Sequence, residues 1–336
     1  MINYIKKGQK QYKANLHSHS VISDGNLTPA EMKKAYKDRG YSILAITDHE
    51  APCAHNDLTE KDFLMITGYE AYIRHNRKFN AYVPEIHINL IAEDKDNVKY
   101  IGFYDDYARY LPKEEQEKLD KADFQGKRDY EIGYINDFIK ASIENGYICF
   151  HNHPYWSLEP FEQISKYEGF VSMEMCNYGS HLTNRCEYNG QLYDRLLREG
   201  KRLFVHSADD NHNPMPFDAP DCDSFGAFTM ILSDELSYES VIRAIKKGDM
   251  YSSMGPIIKE LTFDGERVHI ETTPARQITM MCSGKRMKAA YGNRENPATC
   301  GDFEIPKETE YVRFNVYDFE GNYADTRAFF RDELGI

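Results

Sequence analysis

The chain has 336 residues, 41% of them apolar and 28% charged, with 54 acidic against 41 basic side chains and a formal charge of −13. That is enough apolar material for a sizeable core and excludes a wholly disordered chain; at roughly 150 residues per domain it suggests about two domains. The acidic balance argues against an extended nucleic-acid duplex as ligand unless cations are supplied locally. No run approaches the roughly 18 apolar residues of a membrane span. The first residues, MINYIKKGQKQYKANL, lack the apolar stretch of a secretory signal, so a cytoplasmic location is expected. The seven cysteines stand apart with no CxxC pair, which reads as reduced thiols and not as a disulfide framework or a Cys-rich zinc site.

Short apolar runs alternate with helical patterns up to about residue 255. Tyr12–Leu16 reads as the first strand. Thr28-Pro29-Ala30-Glu31 is a helix start: Thr28 can cap, Pro29 suits the first turn and Glu31 can close a capping box, with Gly40 as the stop. Further strands are expected at Ser42–Thr47, Phe63–Thr67, Glu85–Ala92, Tyr147–Phe150, Phe170–Met175 and Leu203–Val205, each short and bounded by turn residues as buried parallel strands are. Helices are expected at Tyr130–Asn145, Gln191–Glu199 and Ser237–Lys247, the last two closed by Gly200 and Gly248. Residues 93–129 are polar and read as a long insertion able to act as a lid. The alternation predicts an α/β barrel or a doubly wound sheet over 1–255. After Met254-Gly255-Pro256 no helix is expected, and 256–336 reads as a small all-β domain of sandwich type.

The chemistry sits where these strands end. His17-Ser18-His19 follows the first strand, and along an extended chain both imidazoles face the same way. Asp24 follows in a Ser-Asp-Gly turn. Asp48-His49 closes the second strand and Glu70 the third; His87 lies in EIHINL, His153 follows YICF, Glu174 ends FVSMEM, and Asp209-Asp210-Asn211-His212 follows the LFV run. Each has an ordinary alternative: HxH can be surface polarity, Asp24 a turn residue, Asp48 a cap, His87 a core histidine. Their joint occurrence at strand ends decides otherwise, because parallel α/β folds gather function there. So many imidazoles and carboxylates in one cleft would be costly without cations, and mixed nitrogen and oxygen ligation suits Zn, Mn or Fe. Two or three such ions can clamp a phosphate and activate a water. His151 and His206 flank the proposed site, whereas His55, His75, His181 and His269 read as surface or loop residues.

Four blocks, NLHSHSVISDG at 15–25, AITDHE at 45–50, HNHP at 151–154 and DDNH at 209–212, resemble the signature of the PHP (polymerase and histidinol phosphatase) superfamily of metal-dependent phosphoesterases. With Glu70, His87 and Glu174 they cover about residues 12–255 in order, and the β-rich tail is similar to the two-domain CehA/McbA-like branch. The resemblance implies a distorted (β/α)7 barrel with up to three ions. One would take His17, His19, Glu70 and the last-block aspartate; a second would share Glu70 with His87 and His153; a third would use Asp24, His49 and His212. The family's Asp-x-His selects Asp210, with Asp209 as the alternative, and Asp48 and Glu174 would orient ligands.

The reaction expected is hydrolysis of a phosphomonoester, or of a phosphodiester in a nucleotide or short oligonucleotide, by a water that the ions activate. No protein nucleophile is needed, in keeping with the absence of a G-x-S-x-G elbow or P-loop. Arg185, His151 and basic residues of 93–129 are the candidate phosphate contacts. Two alternatives remain open here: amide, carbamate or ester hydrolysis on the same metal site, and a non-catalytic binding protein using its β domain.

Overall fold

The computed structural model describes residues 2–75, 83–184, 187–285 and 287–336. In chain order the strands of the first part are β1 (Ile2–Ile5), β2 (Tyr12–Asn15), β3 (Ile43–Ala45), β4 (Leu64–Ile66), β5 (Gly68–Arg74), β6 (Glu85–Ala92), β7 (Tyr147–His151), β8 (Ser172–Asn177), β9 (Phe204–Ala208), β10 (Phe228–Ile231) and β11 (Met250–Ser253). Those of the second part are β12 (Ile258–Asp264), β13 (Arg267–Ala275), β14 (Gln277–Cys282), β15 (Met287–Tyr291), β16 (Ala298–Glu304), β17 (Tyr311–Tyr317), β18 (Tyr323–Thr326) and β19 (Phe329–Phe330).

Strands β2, β3 and β4 pair in parallel, as do β7, β8 and β9. Two arcs result, β11-β10-β2-β3-β4 and β5-β6-β7-β8-β9. They wrap around one interior of Ala14, Leu16, Ile43, Ala45, Ile66, Ile91, Ile148, Phe150 and Ile231, all nearly or wholly buried. One join is the chain itself, running from β4 into β5 through Thr67. At the other, Thr229 Oγ1 donates to the Ser207 carbonyl at 2.8 Å and accepts from its amide at 3.1 Å, linking β9 to β10 by a side chain. The result is a distorted α/β barrel followed by an all-β part.

The expected strands are present with ends shifted by at most three residues, but not all are parallel. β6 runs antiparallel to β5 and β7. Only residues 75–84 separate β5 from β6, too few to carry a crossover helix, so the chain returns beside itself. β10 and β11, absent from the expected set, pair antiparallel to each other and to β2 and β18. The helix Pro29–Asp38 starts as expected, with Thr28 and Glu31 completing the capping box; Gly248 ends the helix Tyr238–Lys247 in the left-handed region.

In the second part β1-β12-β13-β16 form one sheet and β15-β14-β17-β18 extend the barrel sheet through β11. Leu261, Phe263 and Ile270 from the first sheet and Ile278, Met280, Phe314 and Val316 from the second fill the space between them. Ladders β1–β12 and β11–β18 thus cross the sequence border near residue 255. The last helix, Arg331–Leu334, is one turn where none was expected. Among the described residues no helix is long and apolar enough to cross a membrane.

Candidate metal centre

Backbone pairing brings three strand ends together. Ser18 bridges Asn211 in parallel and His49 bridges Glu70. The Asp210 amide donates to the His17 carbonyl at 2.9 Å and the His19 amide to the Asn211 carbonyl at 3.0 Å, so loops 17–19 and 210–212 lie side by side. Asp210 holds φ of 51° and His153 φ of 21°. Such conformations are rare for residues bearing a Cβ and cluster where surrounding structure imposes them for function.

Glu70 is the hub. Its Oε1 lies 3.2 Å from His17 Nε2, 3.1 Å from His87 Nδ1 and 3.3 Å from His153 Nε2, while Oε2 lies 3.5 Å from His19 Nε2 and 2.8 Å from His49 Nδ1. Asp210 Oδ1 approaches His17 and His19 Nε2 at 3.1 and 2.9 Å. Asp24 Oδ1 faces His212 Nε2 at 3.4 Å, and Asp24 Oδ2 faces His49 Nε2 at 3.8 Å. Three overlapping groups therefore have ligand atoms within 4.8 Å of one another: His17, His19, Glu70 and Asp210; His49, Glu70 and His87; and His19, Asp24, His49 and His212. The first coincides with the expected first set. In the second, His49 stands where His153 was expected, and His153 sits between the first two groups, 3.7 Å from Asp210 Oδ2.

The donor set fits divalent cations. His19 Nδ1, His49 Nδ1, Glu70 Oε2 and His87 Nε2 are buried without a hydrogen-bond partner. His49 Nδ1 and Glu70 Oε2 are 2.8 Å apart yet misaligned for a hydrogen bond, as when two ligand atoms face a common point and not each other. Unpartnered buried polar atoms are costly; cations in these groups would relieve His19 Nδ1, His49 Nδ1 and Glu70 Oε2, whereas His87 Nε2 faces Glu85 Oε1 at 3.8 Å.

The charges respond accordingly. Burial opposes protonation of His17, but Asp210, Glu70 and Glu174 outweigh it and raise its pKa well above the ordinary value. Burial is likewise outweighed at His87, raised to about 10 by Glu70 and Glu85, and at His212, raised to about 9 by Asp24 and Asp210. His19 goes the other way, to about 4, through burial and the neighbouring His49 and His212. The metal-free protein thus carries imidazolium protons that cations must displace. Metal titration at pH 7 is expected to release protons, read by calorimetry in buffers of different ionisation enthalpy; no release would contradict this account. Raised His87 and His212 stabilise the metal-free fold fully below about pH 6.5, and that contribution disappears as pH rises through about 9–10.

The surrounding residues hold these side chains. Glu174 Oε1 bonds His17 Nδ1 at 2.8 Å, which turns Nε2 toward Glu70, and its Oε2 accepts from the His153 amide and Asn177. Asp48 accepts from the amides and hydroxyls of Ser20 and Ser23, fixing the turn that carries Asp24. Asp209 points away from the cluster: it accepts from the Phe225, Gly226 and Ala227 amides and from the Tyr36 hydroxyl, while burial raises its pKa to about 6. Asp210 is thus the aspartate that faces the histidines. His151 does not line the cleft; it is buried with its Nε2 2.7 Å from Glu159 and its ring stacked on Phe170. Arg185 lies outside the described residues.

Above the cluster opens a cleft of about 720 Å³, lined by Tyr72, Arg74, Arg109, Tyr110, Trp156 and Met215 among others. Arg109 and Tyr110 come from the 93–129 segment, for which the sequence expectation named no individual residue. Trp156 stands edge-on to His87 and His153, with ring centroids 5.5 and 5.0 Å away.

The PHP domain family model matches residues 15–206. Among solved structures, the chain is similar to a two-domain protein containing a predicted PHP-like metal-dependent phosphoesterase from Bacteroides vulgatus ATCC 8482 (15% identity, 97% of this chain and 98% of that one, TM-score 0.45). It is also similar to an amidohydrolase from Chromobacterium violaceum with bound sulfate and no metal (18% identity, 62% of this chain and 93% of that one, TM-score 0.36). No curated protein matches. With more than half of the chain matched, including all the strand ends from His17 to Glu174, the protein belongs to the PHP domain family.

Proposed function

We propose that the protein is a metal-dependent phosphoesterase whose cleft hydrolyses a phosphomonoester, or a phosphodiester in a nucleotide or short oligonucleotide. The observation that carries this is Glu70 in contact with five imidazoles at the floor of one cleft, shared between adjoining ligand groups. His17, His19, Glu70 and Asp210 would hold one ion, His87 with Glu70, His49 and His153 a second, and Asp24, His49 and His212 a third. Divalent Zn, Mn or Fe ions bound there supply an activated water at neutral pH and neutralise charge on the phosphoryl oxygens.

The protein's own contribution is arrangement. Glu174 fixes the His17 ring, and Asn177 donates to both Glu174 and Asp210, tying two elements together. Asp223 accepts from the His212 and Asn213 amides and holds that loop. Trp156 and Met215, both exposed, give the cleft an apolar side.

The test is a panel of phosphomonoesters, phosphodiesters and short oligonucleotides with Mn, Zn or Fe, beside His17→Ala and Asp210→Ala. Metal content and hydrolysis should fall together; hydrolysis that persists after metal is lost sinks the mechanism. A second reading, amide, carbamate or ester hydrolysis on the same site, draws on the apolar wall of Trp156, Leu182, Pro214 and Met215, and neutral substrates in the panel decide it.

A further inference from the structure

Cationic side chains are scarce in the cleft. Among the described lining residues they are Arg74 and Arg109, against the carboxylates of Asp24, Glu70, Glu85, Asp210, Asp221 and Asp223. Arg74 is already committed, its Nε 2.6 Å from Glu85 Oε2. Arg109 has no carboxylate within ion-pair distance among the described residues. Its Nη2 donates to the Tyr110 hydroxyl at 3.1 Å, and that hydroxyl donates to Asp24 Oδ2 at 3.0 Å. The guanidinium therefore lies two hydrogen bonds from the ligand cluster, oriented by a neutral phenol, and its side chain makes no other hydrogen bond among the described residues.

The segment bearing it is anchored. The Tyr100 amide donates to the Asp120 carbonyl and the Ala122 amide to the Tyr100 carbonyl, while the Gly102 and Gly126 amides donate to the Phe124 and Phe103 carbonyls. Arg128 at its end is buried, donating to both Glu50 oxygens and to the Tyr72 and Gly102 carbonyls. Glu50 directly follows His49, so the end of the segment is tied to the backbone beside the candidate ligands, and its Arg109 and Tyr110 line the cleft.

We propose that Arg109 is the specificity-determining residue that receives an anionic group of the substrate, its planar fork suited to two oxygens of a phosphate. The ligand chemistry rests on the phosphoesterase reading; the test below does not require turnover. Inorganic phosphate is titrated calorimetrically into manganese-loaded wild-type protein, Arg109→Ala and Arg109→Lys. Loss of a charge-assisted contact should weaken phosphate binding by at least about tenfold in R109A, with R109K intermediate because it keeps charge without the fork. Metal content should match wild type. For any phosphate ester that wild type turns over, R109A should raise KM more than it lowers kcat. Phosphate binding unchanged in R109A, or no binding by wild type, overturns the proposal; so does loss of metal from R109A, which would make Arg109 a support of the ligands. If phosphate binds through Arg109 but no phosphate ester is cleaved, the anion site stands and the phosphoesterase reading fails.

Discussion

Arg128→Met is expected to destabilise the folded protein by about 3–5 kcal/mol, the range for removing one partner of a buried ion pair. Glu50 and Arg128 are both wholly shielded, with Arg128 Nη2 2.8 Å from Glu50 Oε2. Glu50 also accepts from the Tyr72 amide at 2.9 Å and from the Tyr100 hydroxyl. The cost arises because methionine leaves an anion in an apolar setting with one cationic neighbour removed. Replacing both partners, as Glu50→Leu with Arg128→Met, removes the stranded charge and should cost less than R128M alone, although Tyr72 and Tyr100 lose an acceptor. Denaturant midpoints of the two single variants and the double variant form the cycle. If the double variant is as unstable as the sum of the singles, the two side chains do not depend on each other.

Glu70→Gln is expected to abolish metal binding more completely than loss of any single histidine. His87→Ala removes a ligand from one group; Glu70 belongs to two of the three, as His19 and His49 do, but among the described residues it alone touches His17, His19, His49, His87 and His153. Replacing partners that only orient a ligand already lowers metal affinity or activity by about 10–100-fold, so a shared ligand should cost more than about a hundredfold. Metal analysis after gel filtration and hydrolysis on the panel give the two readings. Thermal unfolding gives a third: added metal should stabilise wild type through mass action and leave Glu70→Gln unmoved. Full metal occupancy in Glu70→Gln would contradict the hub role.

Much of the ligand set could be read from the sequence because it lies where strands end, and a strand end can be found from a short apolar run followed by a polar break. Placement within a block was harder. Asp209 and Asp210 are neighbours, and only the loop at 225–227, whose amides claim Asp209, separates them. His151 misled for a related reason. Two residues apart in a strand share a face, but β7 ends at His151 and His153 adopts φ of 21°, so the alternation stops between them. The barrel's antiparallel members escaped notice because apolar runs carry no direction; β6 was placed correctly and its orientation was not. Arg109 and the Glu50–Arg128 pair belong to no local pattern. Their partners are 78 positions apart for the ion pair and 86 for Tyr110 with Asp24, distances that only the folded insertion closes.

The central claim is that separate strand ends converge on several cations. Anomalous diffraction at the manganese edge from manganese-soaked crystals tests it most directly. Peaks with ligand distances of about 2.0–2.3 Å, one among His17, His19, Glu70 and Asp210 and another among Asp24, His49 and His212, are the predicted result. Manganese found only at the half-buried Glu260, His269 and Glu271 group, or nowhere in the cleft, would contradict it.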